Sequence, residues 1–365
     1  MSIEINLKKI LEREGKTLYK LCKDTGLSYQ QGHAIANKKT TRIDLTTIDT
    51  LCNYLQCDPS NLISFKESIL KKELEKFPLT NNSQREAENH EKNRPKPFLQ
   101  WVGGKRGMVA QYKNYFPKKY NRYFEPFLGG GAIFFELNPE KSFLNDNNRE
   151  LLETYKAVRD FPELVIDTLK KLKERHSEKL YEHIRNLDRN YNLFSHFRNY
   201  EIAARAIYLN QTCFNGIYRV NGKGQFNVPI GSSLDKVICD AETILKASKT
   251  LKKTSLECSD FEEATKNVAK KDLVFFDPPY YPISKTSDFT RYTKERFYEE
   301  DQIRLRKTVT ELHKKGAYVM LSNSDCKFIR DLYKDFNIYT VQSSRSLNSN
   351  TTKRGKVSEV LITNY

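Results

Sequence analysis

The segment Leu273-Val274-Phe275-Phe276-Asp277-Pro278-Pro279-Tyr280 sets a carboxylate, two consecutive prolines and a phenol directly after four apolar positions. Four apolar residues in a row fit a strand buried on both faces. Asp277 then falls at the carboxyl end of that strand, where open α/β sheets place their ligand crevice. Each proline fixes its own φ and pushes the preceding residue out of the helical region. The expected result is a stiff loop that aims a carboxylate, a main-chain carbonyl and an aromatic ring at one point. Such a set can accept hydrogen bonds from an amino group and stack on a flat ring. A bland turn with a surface acid is the competing reading.

A second constellation is Phe124-Glu125-Pro126-Phe127-Leu128-Gly129-Gly130-Gly131, between a strand candidate and the apolar helix 132–137. Its glycines permit a tight turn and a close approach of backbone to ligand. It is not Gly-x-Gly-x-x-Gly, and no Gly-Lys-Ser/Thr follows, so a nucleoside triphosphate site is disfavoured. The next strand ends at Asn145-Asp146, the spacing at which an acid grips ribose hydroxyls in nucleotide-binding folds. Capping of the helix that starts near Asn148 is the alternative for Asp146. A third strand runs into Ser259-Asp260-Phe261, where Asp260 is open between a ligand contact and an N-cap. The 7 cysteines are scattered without a Cys-x-x-Cys pair or a His partner, so free thiols in a reducing cytoplasm and no metal are expected.

These residues need elements to hold them. Strands are expected at Tyr123–Glu125, Ser142–Asn145, Ser255–Cys258, Leu273–Phe276, Tyr318–Ser322, Ile338–Val341 and Val357–Ile362. Helical periodicity covers Asn148–Arg159, Tyr200–Gln211, Glu299–Lys315 and Asp325–Lys334. Strands separated by helices argue for an α/β domain with a largely parallel sheet. The region of about 160–250 reads as a mostly helical insertion. Ahead of it, residues 1–65 form a block of short helices fit for a small all-α core, with Ser28 as the N-cap of a helix Tyr29–Asn37. Residues 66–96 read as a helical extension and a polar, flexible linker, leaving 97–365 as the main domain.

The whole chain of 365 residues carries a net charge of +16 and is 38% hydrophobic, too apolar for a disordered chain. No run approaches the ~20 apolar residues of a membrane span, and the first residues lack a signal-peptide pattern. Residues 1–65 hold nine Lys/Arg against seven Asp/Glu, so +14 of the charge lies beyond them. A basic balance of this size points to a polyanionic partner.

Asp277-Pro278-Pro279-Tyr280 resembles the catalytic motif of amino-methylating DNA methyltransferases. Phe98-Leu99-Gln100-Trp101-Val102-Gly103-Gly104-Lys105 and the glycine-rich segment resemble the two N-terminal motifs of Dam-type (D12 class, alpha group) DNA adenine-N6 methyltransferases. Leu209-Asn210, Phe214-Asn215-Gly216, Arg219, Gly224–Pro229, Phe289-Thr290, Leu321-Ser322-Asn323 and Ser344-Arg345-Ser346 match in the same order across about 97–365. The resemblance implies a Rossmann-like S-adenosylmethionine-dependent methyltransferase fold with an inserted, mostly helical target-recognition region. It implies methyl transfer from S-adenosyl-L-methionine to N6 of an adenine flipped out of duplex DNA, within GATC. Asp277, Pro278, Pro279 and Tyr280 become the catalytic residues, with Asp277 as acceptor or base and Tyr280 as clamp on the base. Trp101, Lys105, Glu125, Phe127, Gly129, Gly131, Asp146, Asp260, Phe261 and Asp277 become cofactor contacts.

For DNA, the family's matching Arg reads a guanine, here Arg219, and the matching aromatic-Asn pair enters the base stack, here Phe214-Asn215. Ile217 stands where Leu is usual, and Pro229 is kept. Gln100 stands where GATC-specific members often have Lys. Arg345, Lys353 and Arg354 sit in a loop that grips phosphates in the family, with a plain solvated loop as the alternative. The N-terminal block resembles the helix-turn-helix domain of phage-repressor-like (XRE-type) regulators, with Tyr29, Gln30, Gln31 and His33 facing the major groove; a partner-docking bundle is the alternative. The implied setting is cytoplasmic, with double-stranded DNA as partner, a cognate restriction endonuclease at system level and no membrane. A DNA-binding transcription regulator with an inactive methyltransferase fold is the alternative function. Glutamine-modifying relatives carry Asn before the two prolines, which disfavours protein methylation.

Overall fold

A computed structural model describes residues 2–37, 39–40, 42–66, 68–80, 94–101, 103–232, 237–282, 297–344 and 356–365. The chain divides into two compact units, Met1–Glu75 and Lys76–Tyr365. The sequence reading ends the first block near residue 65. The helix Ile69–Glu75, which buries Leu70 and Leu74, belongs with the first unit. Most of the expected linker, residues 81–93, lies outside the described residues.

In the first unit, Thr17 accepts a hydrogen bond from the Lys20 N–H and opens the helix Leu18–Thr25. Gly26, at φ 74, stops that helix in the left-handed conformation glycine adopts without strain. Ser28 then starts the helix Tyr29–Ala36 with a capping box to Gln31. Gly32 lets the two helices approach closely, because a Cβ there would lie 2.5 Å from Cys22 Sγ. Leu7, Ile10, Leu11, Leu21, Ile35, Leu51 and Leu55 form the core. The expected all-helical block also carries a two-stranded antiparallel ribbon, β1 (Ser2–Ile5) with β2 (Ile63–Lys66). Two four-residue strands joined across some sixty residues leave no local periodicity long enough to read.

The second unit is built on seven strands: β3 (Tyr123–Glu125), β4 (Ser142–Asn145), β5 (Thr254–Glu257), β6 (Leu273–Phe276), β7 (Tyr318–Ser324), β8 (Asn337–Ser344) and β9 (Lys356–Thr363). Their order is β5-β4-β3-β6-β7-β9-β8. The pairs β3–β4, β4–β5, β3–β6 and β6–β7 are parallel, and β9 runs antiparallel between β7 and β8. The chain moves outward from β3 to β5 and then crosses to β6 on the other side of β3. The order therefore reverses between β3 and β6, and the connections after these two strands part to open a crevice.

Alternation along the strands fills both faces. Phe124, Val274, Phe276, Val319, Leu321, Val360 and Ile362 pack on Leu305, Val309 and Leu312 of the helix Glu299–Lys314. Phe275 turns the other way, its ring 6.2 Å from that of Tyr112. On that side Phe98 packs against Tyr155 and Phe135. Among the described residues no helix is long and apolar enough to cross a membrane.

The region after β4 contributes the helices Arg149–Asp160, Pro162–Lys173, Glu178–Asn186, Asn199–Thr212 and Ala241–Leu251. Arg205, 1% exposed, is the fixed point among them. It pairs with Glu150 at 3.1 Å and Asp188 at 2.7 Å, and donates to the carbonyls of Ile184 and Arg185 at 3.0 Å each. Removing a cation from such a buried set strands its partners. Arg205→Ala is expected to lower unfolding free energy by roughly 3–5 kcal/mol, read from denaturant titration. A loss below about 1 kcal/mol, the size of an exposed pair, would show that the network does not hold the insertion.

Candidate active site

Asp277 leaves the end of β6 at the reversal point. Its Oδ1 takes the Lys105 ammonium at 2.7 Å and the Ser322 hydroxyl at 2.7 Å. Burial raises the Asp277 pKa above the ordinary aspartate range, while Lys105 and Ser322 hold it down and the charge of Glu359 adds to the rise. Lys105 is 5% exposed and also donates to the Gly103 carbonyl at 2.8 Å. Its ammonium lies 4.7 Å from the centre of the Tyr280 ring. One cation thus serves both chemical groups of the loop.

The loop itself is clamped from β7. The Asn323 side-chain oxygen accepts the N–H groups of Tyr281 at 3.1 Å and Ser324 at 2.8 Å. Its Nδ2 must then donate, and does so to Gln302 Oε1 at 3.0 Å. That leaves Gln302 Nε2 to donate to the Pro279 carbonyl at 3.0 Å. Asn323 and Gln302 are both buried, so every step of this relay is dictated by a donor or acceptor that has no water to turn to. Ser324 donates to the Tyr281 carbonyl at 2.6 Å, and Tyr280 donates from its hydroxyl to Glu359 at 2.7 Å. Sequence reasoning singled out Ser322 and Asn323 within a motif but missed Gln302, Ser324 and Glu359. A polar residue inside an apolar helical or strand pattern is the signal that marks them.

Across the crevice, Gly129 and Gly131 take φ values of 48° and 65°. A Cβ on Gly129 would lie 2.7 Å from the Trp101 indole. Asp146 braces this turn: its carboxylate accepts the N–H groups of Gly129 and Asn148, each at 2.9 Å. The N-cap of the helix Arg149–Asp160 is Asn148, so Asp146 supports the turn and the approach to the helix rather than capping it. Asn145, also missed, donates to the carbonyls of Pro126 and Ser259 at 3.0 and 2.9 Å and accepts the Ser259 N–H. It fastens the three connections after β3, β4 and β5 together. Glu125 lies 2% exposed with the Tyr123 hydroxyl on it at 2.8 Å. Burial raises its pKa well above the usual carboxylate range, against the pull of that hydroxyl.

Asp260 caps the helix Phe261–Ala264 by accepting the Glu262 N–H, and it pairs with Arg304 at 3.0 Å. The capping alternative is therefore realised at this position. Phe261, Phe127 and Phe297 form an aromatic wall, with Phe127 5.5 Å from Phe261 and 5.7 Å from Phe297. Trp101 stacks on Tyr218 at 5.2 Å, and Tyr218 donates to Glu150 at 2.7 Å. Among the described residues no cluster of His, Cys, Asp and Glu is arranged to hold a metal.

The insertion meets this crevice through a reciprocal amide bond. Asn210 accepts the Gln100 N–H at 2.8 Å and donates to the Gln100 carbonyl at 2.7 Å. The turn that follows exposes Phe214 and Asn215, the latter at φ 55, while a Cβ on Gly216 would collide with Gln100. Arg219 and Pro229 are exposed and Ile217 is half-buried. Arg219 donates to the Asn227 side chain at 2.8 Å. Arg345, Lys353 and Arg354, with the Phe289-Thr290 motif, lie outside the described residues. In the N-terminal unit Tyr29 and Gln30 are exposed, and Gln31 commits its oxygen to Ser28.

A sheet with this strand order and an acid-Pro-Pro-aromatic loop aimed into its crevice defines a Rossmann-like methyltransferase fold. Comparison with known proteins agrees. Residues 101–347 match the model of the D12 class N6 adenine-specific DNA methyltransferases, and residues 6–68 match the Cro/C1-type HTH DNA-binding domain. A Type II methyltransferase of Lactococcus lactis subsp. cremoris is 44% identical over 272 residues, covering 74% of this chain and 95% of the relative. A Type II methyltransferase of Methanocaldococcus jannaschii is 39% identical over 289 residues, covering 74% and 99%. The DNA adenine methylase of Haemophilus influenzae is 30% identical over 267 residues, covering 73% and 92%. The chain belongs to the D12 class of N6 adenine-specific DNA methyltransferases and joins to it a Cro/C1-type helix-turn-helix domain.

The relay yields a test. Gln302→Met keeps length but removes the donor to Pro279. It also takes the acceptor from Asn323 Nδ2, so turnover is expected to fall about tenfold and stability by about 1–3 kcal/mol, the cost of a buried polar group left unpaired. Wild-type turnover in that variant would show that the clamp does not set the loop.

Proposed function

We propose that the chain transfers a methyl group from S-adenosyl-L-methionine to N6 of an adenine flipped out of duplex DNA, within GATC. The observation that carries this reading is Asp277 held at the sheet's reversal point by Lys105 and Ser322, with Tyr280 beside it. The crevice suits the cofactor by the chemistry of its groups. The wall of Phe127, Phe261 and Phe297 suits a purine. Asp146 at a strand end suits ribose hydroxyls, Asp260 beside Phe261 lines the adenine, Lys105 suits a carboxylate, and Gly129 and Gly131 admit close backbone approach. Trp101 and Glu125 complete the set.

The cofactor supplies a methyl group on a sulfonium centre, already an excellent leaving group. The amino nitrogen of adenine is a poor nucleophile because its lone pair is delocalised into the ring. Asp277 and the Pro278 carbonyl accept its two hydrogens and draw the nitrogen toward tetrahedral geometry, exposing that lone pair. Asp277 is also the base for the proton the nitrogen sheds. Pro279 and the clamp on it keep the acceptors fixed, and orientation of this kind can contribute ~7–11 kcal/mol. Tyr280 stacks on the flipped base.

Phe214 and Asn215 would enter the base stack, and Ile217, Arg219 and Pro229 would read the target. A bidentate Arg219–guanine contact gives ~1–3 kcal/mol of discrimination. Arg345, Lys353 and Arg354 would grip phosphates, while Tyr29, Gln30 and Gln31 offer a second DNA contact. We place the protein in the cytoplasm. Two relatives named Type II methyltransferases support a cognate restriction endonuclease as a partner at system level.

Incubation with methyl-labelled S-adenosylmethionine and unmethylated plasmid, then digestion with a GATC-sensitive nuclease, tests the reading. Label in DNA with protection at GATC is expected; label in protein alone, or nowhere, overturns it. Asp277→Ala should lower transfer by roughly 10²–10⁴-fold while cofactor binding persists in calorimetry. The pH profile carries a sign. Only ionised Asp277 accepts both roles, so the rate falls as pH drops through a midpoint above the ordinary aspartate range. Because Lys105 holds that midpoint down, Lys105→Met should move it to higher pH, whatever the variant does to absolute rate. A midpoint that stays in place removes the pair from the mechanism.

A further inference from the structure

We propose that Glu359 is a positioning residue for the reaction, setting the orientation of the Tyr280 ring through the tyrosine hydroxyl. The inference rests on the reading of Tyr280 as the ring that stacks on the target base.

Glu359 lies on β9, with Ser324 of β7 and Val341 of β8 as its register partners. The next residue, Val360, is in the core on one face of the sheet, so alternation turns Glu359 to the opposite face. A carboxylate half-buried in the middle of a sheet costs desolvation unless it is hydrogen-bonded. Its partner is the Tyr280 hydroxyl at 2.7 Å, from a residue 79 positions earlier. That distance is typical of a charge-assisted O–H···O⁻ bond, a strong and directional class. Burial raises the Tyr280 pKa well above the usual phenol range, so the hydroxyl keeps the proton it donates.

Ser322 and Tyr112 are further neighbours of the Tyr280 hydroxyl, and the remaining constraints act on the backbone or on the ring face. The two prolines, the Gln302 contact at Pro279 and the Asn323 contact at Tyr281 fix the backbone on either side. They leave the two side-chain torsions open. Lys105 lies over the ring face, an attraction with little directional preference within the plane. A bond to the far end of the side chain supplies what these lack. Glu359 acts through Tyr280 rather than on a reacting atom.

Full-length wild type, Glu359→Met, Glu359→Gln, Tyr280→Phe and the E359M/Y280F double variant are compared on an unmethylated GATC duplex with labelled S-adenosylmethionine. E359M keeps the length without the acceptor, and E359Q keeps an acceptor without the charge. E359M and Y280F are each expected to lower kcat about tenfold, with the KM for S-adenosylmethionine changed less than about threefold. E359Q should stay within about threefold of wild type, and the double variant should be no worse than either single one. Losses that multiply, or wild-type kcat in E359M or Y280F, overturn the inference. Where E359M does not fold, Y280F and E359Q decide: E359Q falling as far as Y280F overturns it. A wild-type protein that methylates no adenine sinks the methyltransferase reading, and this inference with it; a wild type that does so leaves the variants to judge Glu359 alone.

Discussion

A carboxylate that leaves a fully buried strand must be kept ionised with little water to help it, and the architecture around β6 answers that one demand. Lys105 neutralises Asp277 from the segment before β3, and Ser322 reaches it from the neighbouring strand. Burying a charge is costly unless it is both paired and hydrogen-bonded. The two sides of the crevice are therefore tied by the same ion pair that preserves the acid, and Tyr280 shares the cation. Chemistry and cohesion are not separable at this point.

The sheet supplies the rest of the geometry. Reversal of strand order between β3 and β6 puts the glycine turn and the Asp-Pro-Pro-Tyr loop on adjacent strand ends. Asn145 laces three of those ends together. β9 enters between β7 and β8 and carries an acid to the loop from the far end of the sequence. The site is assembled from six strands, β3, β4, β5, β6, β7 and β9, each contributing a loop or polar side chains.

Much of this was legible in the residues. Apolar runs such as Leu273–Phe276 located the strands to within a residue or two, β8 alone running three residues past its expected end, because burial on both faces leaves an uninterrupted pattern. Helices with a strong apolar stripe, such as Glu299–Lys314, were equally clear. The ribbon of β1 and β2 was not, since its pairing is remote and its strands are short. Within the site, Asp277 and the glycine turn announced themselves through local chemistry. Gln302, Asn145 and Glu359 did not, for each acts on a partner far away in the chain, and a lone amide or acid in a periodic segment names no partner. Asp260 and Asp146 read as open between a ligand contact and a helix cap, and their bonds to backbone N–H groups are local ones of the kind sequence can suggest.

The bond between Asn210 and Gln100 has a wider consequence. The Asn210 amide docks the insertion on the backbone of residue 100, donor to carbonyl and carbonyl to N–H. The Gln100 side chain joins in as well, donating to Gln211 at 3.0 Å and lying against Gly216 of the turn beyond. The exposed residues of that turn, Phe214, Asn215 and Arg219, can change through substitution while these bonds keep the crevice in shape. Change on the exposed turn is evolutionarily cheap so long as the Asn210 amide, Gln100 and Gly216, which hang the insertion from the crevice, are kept.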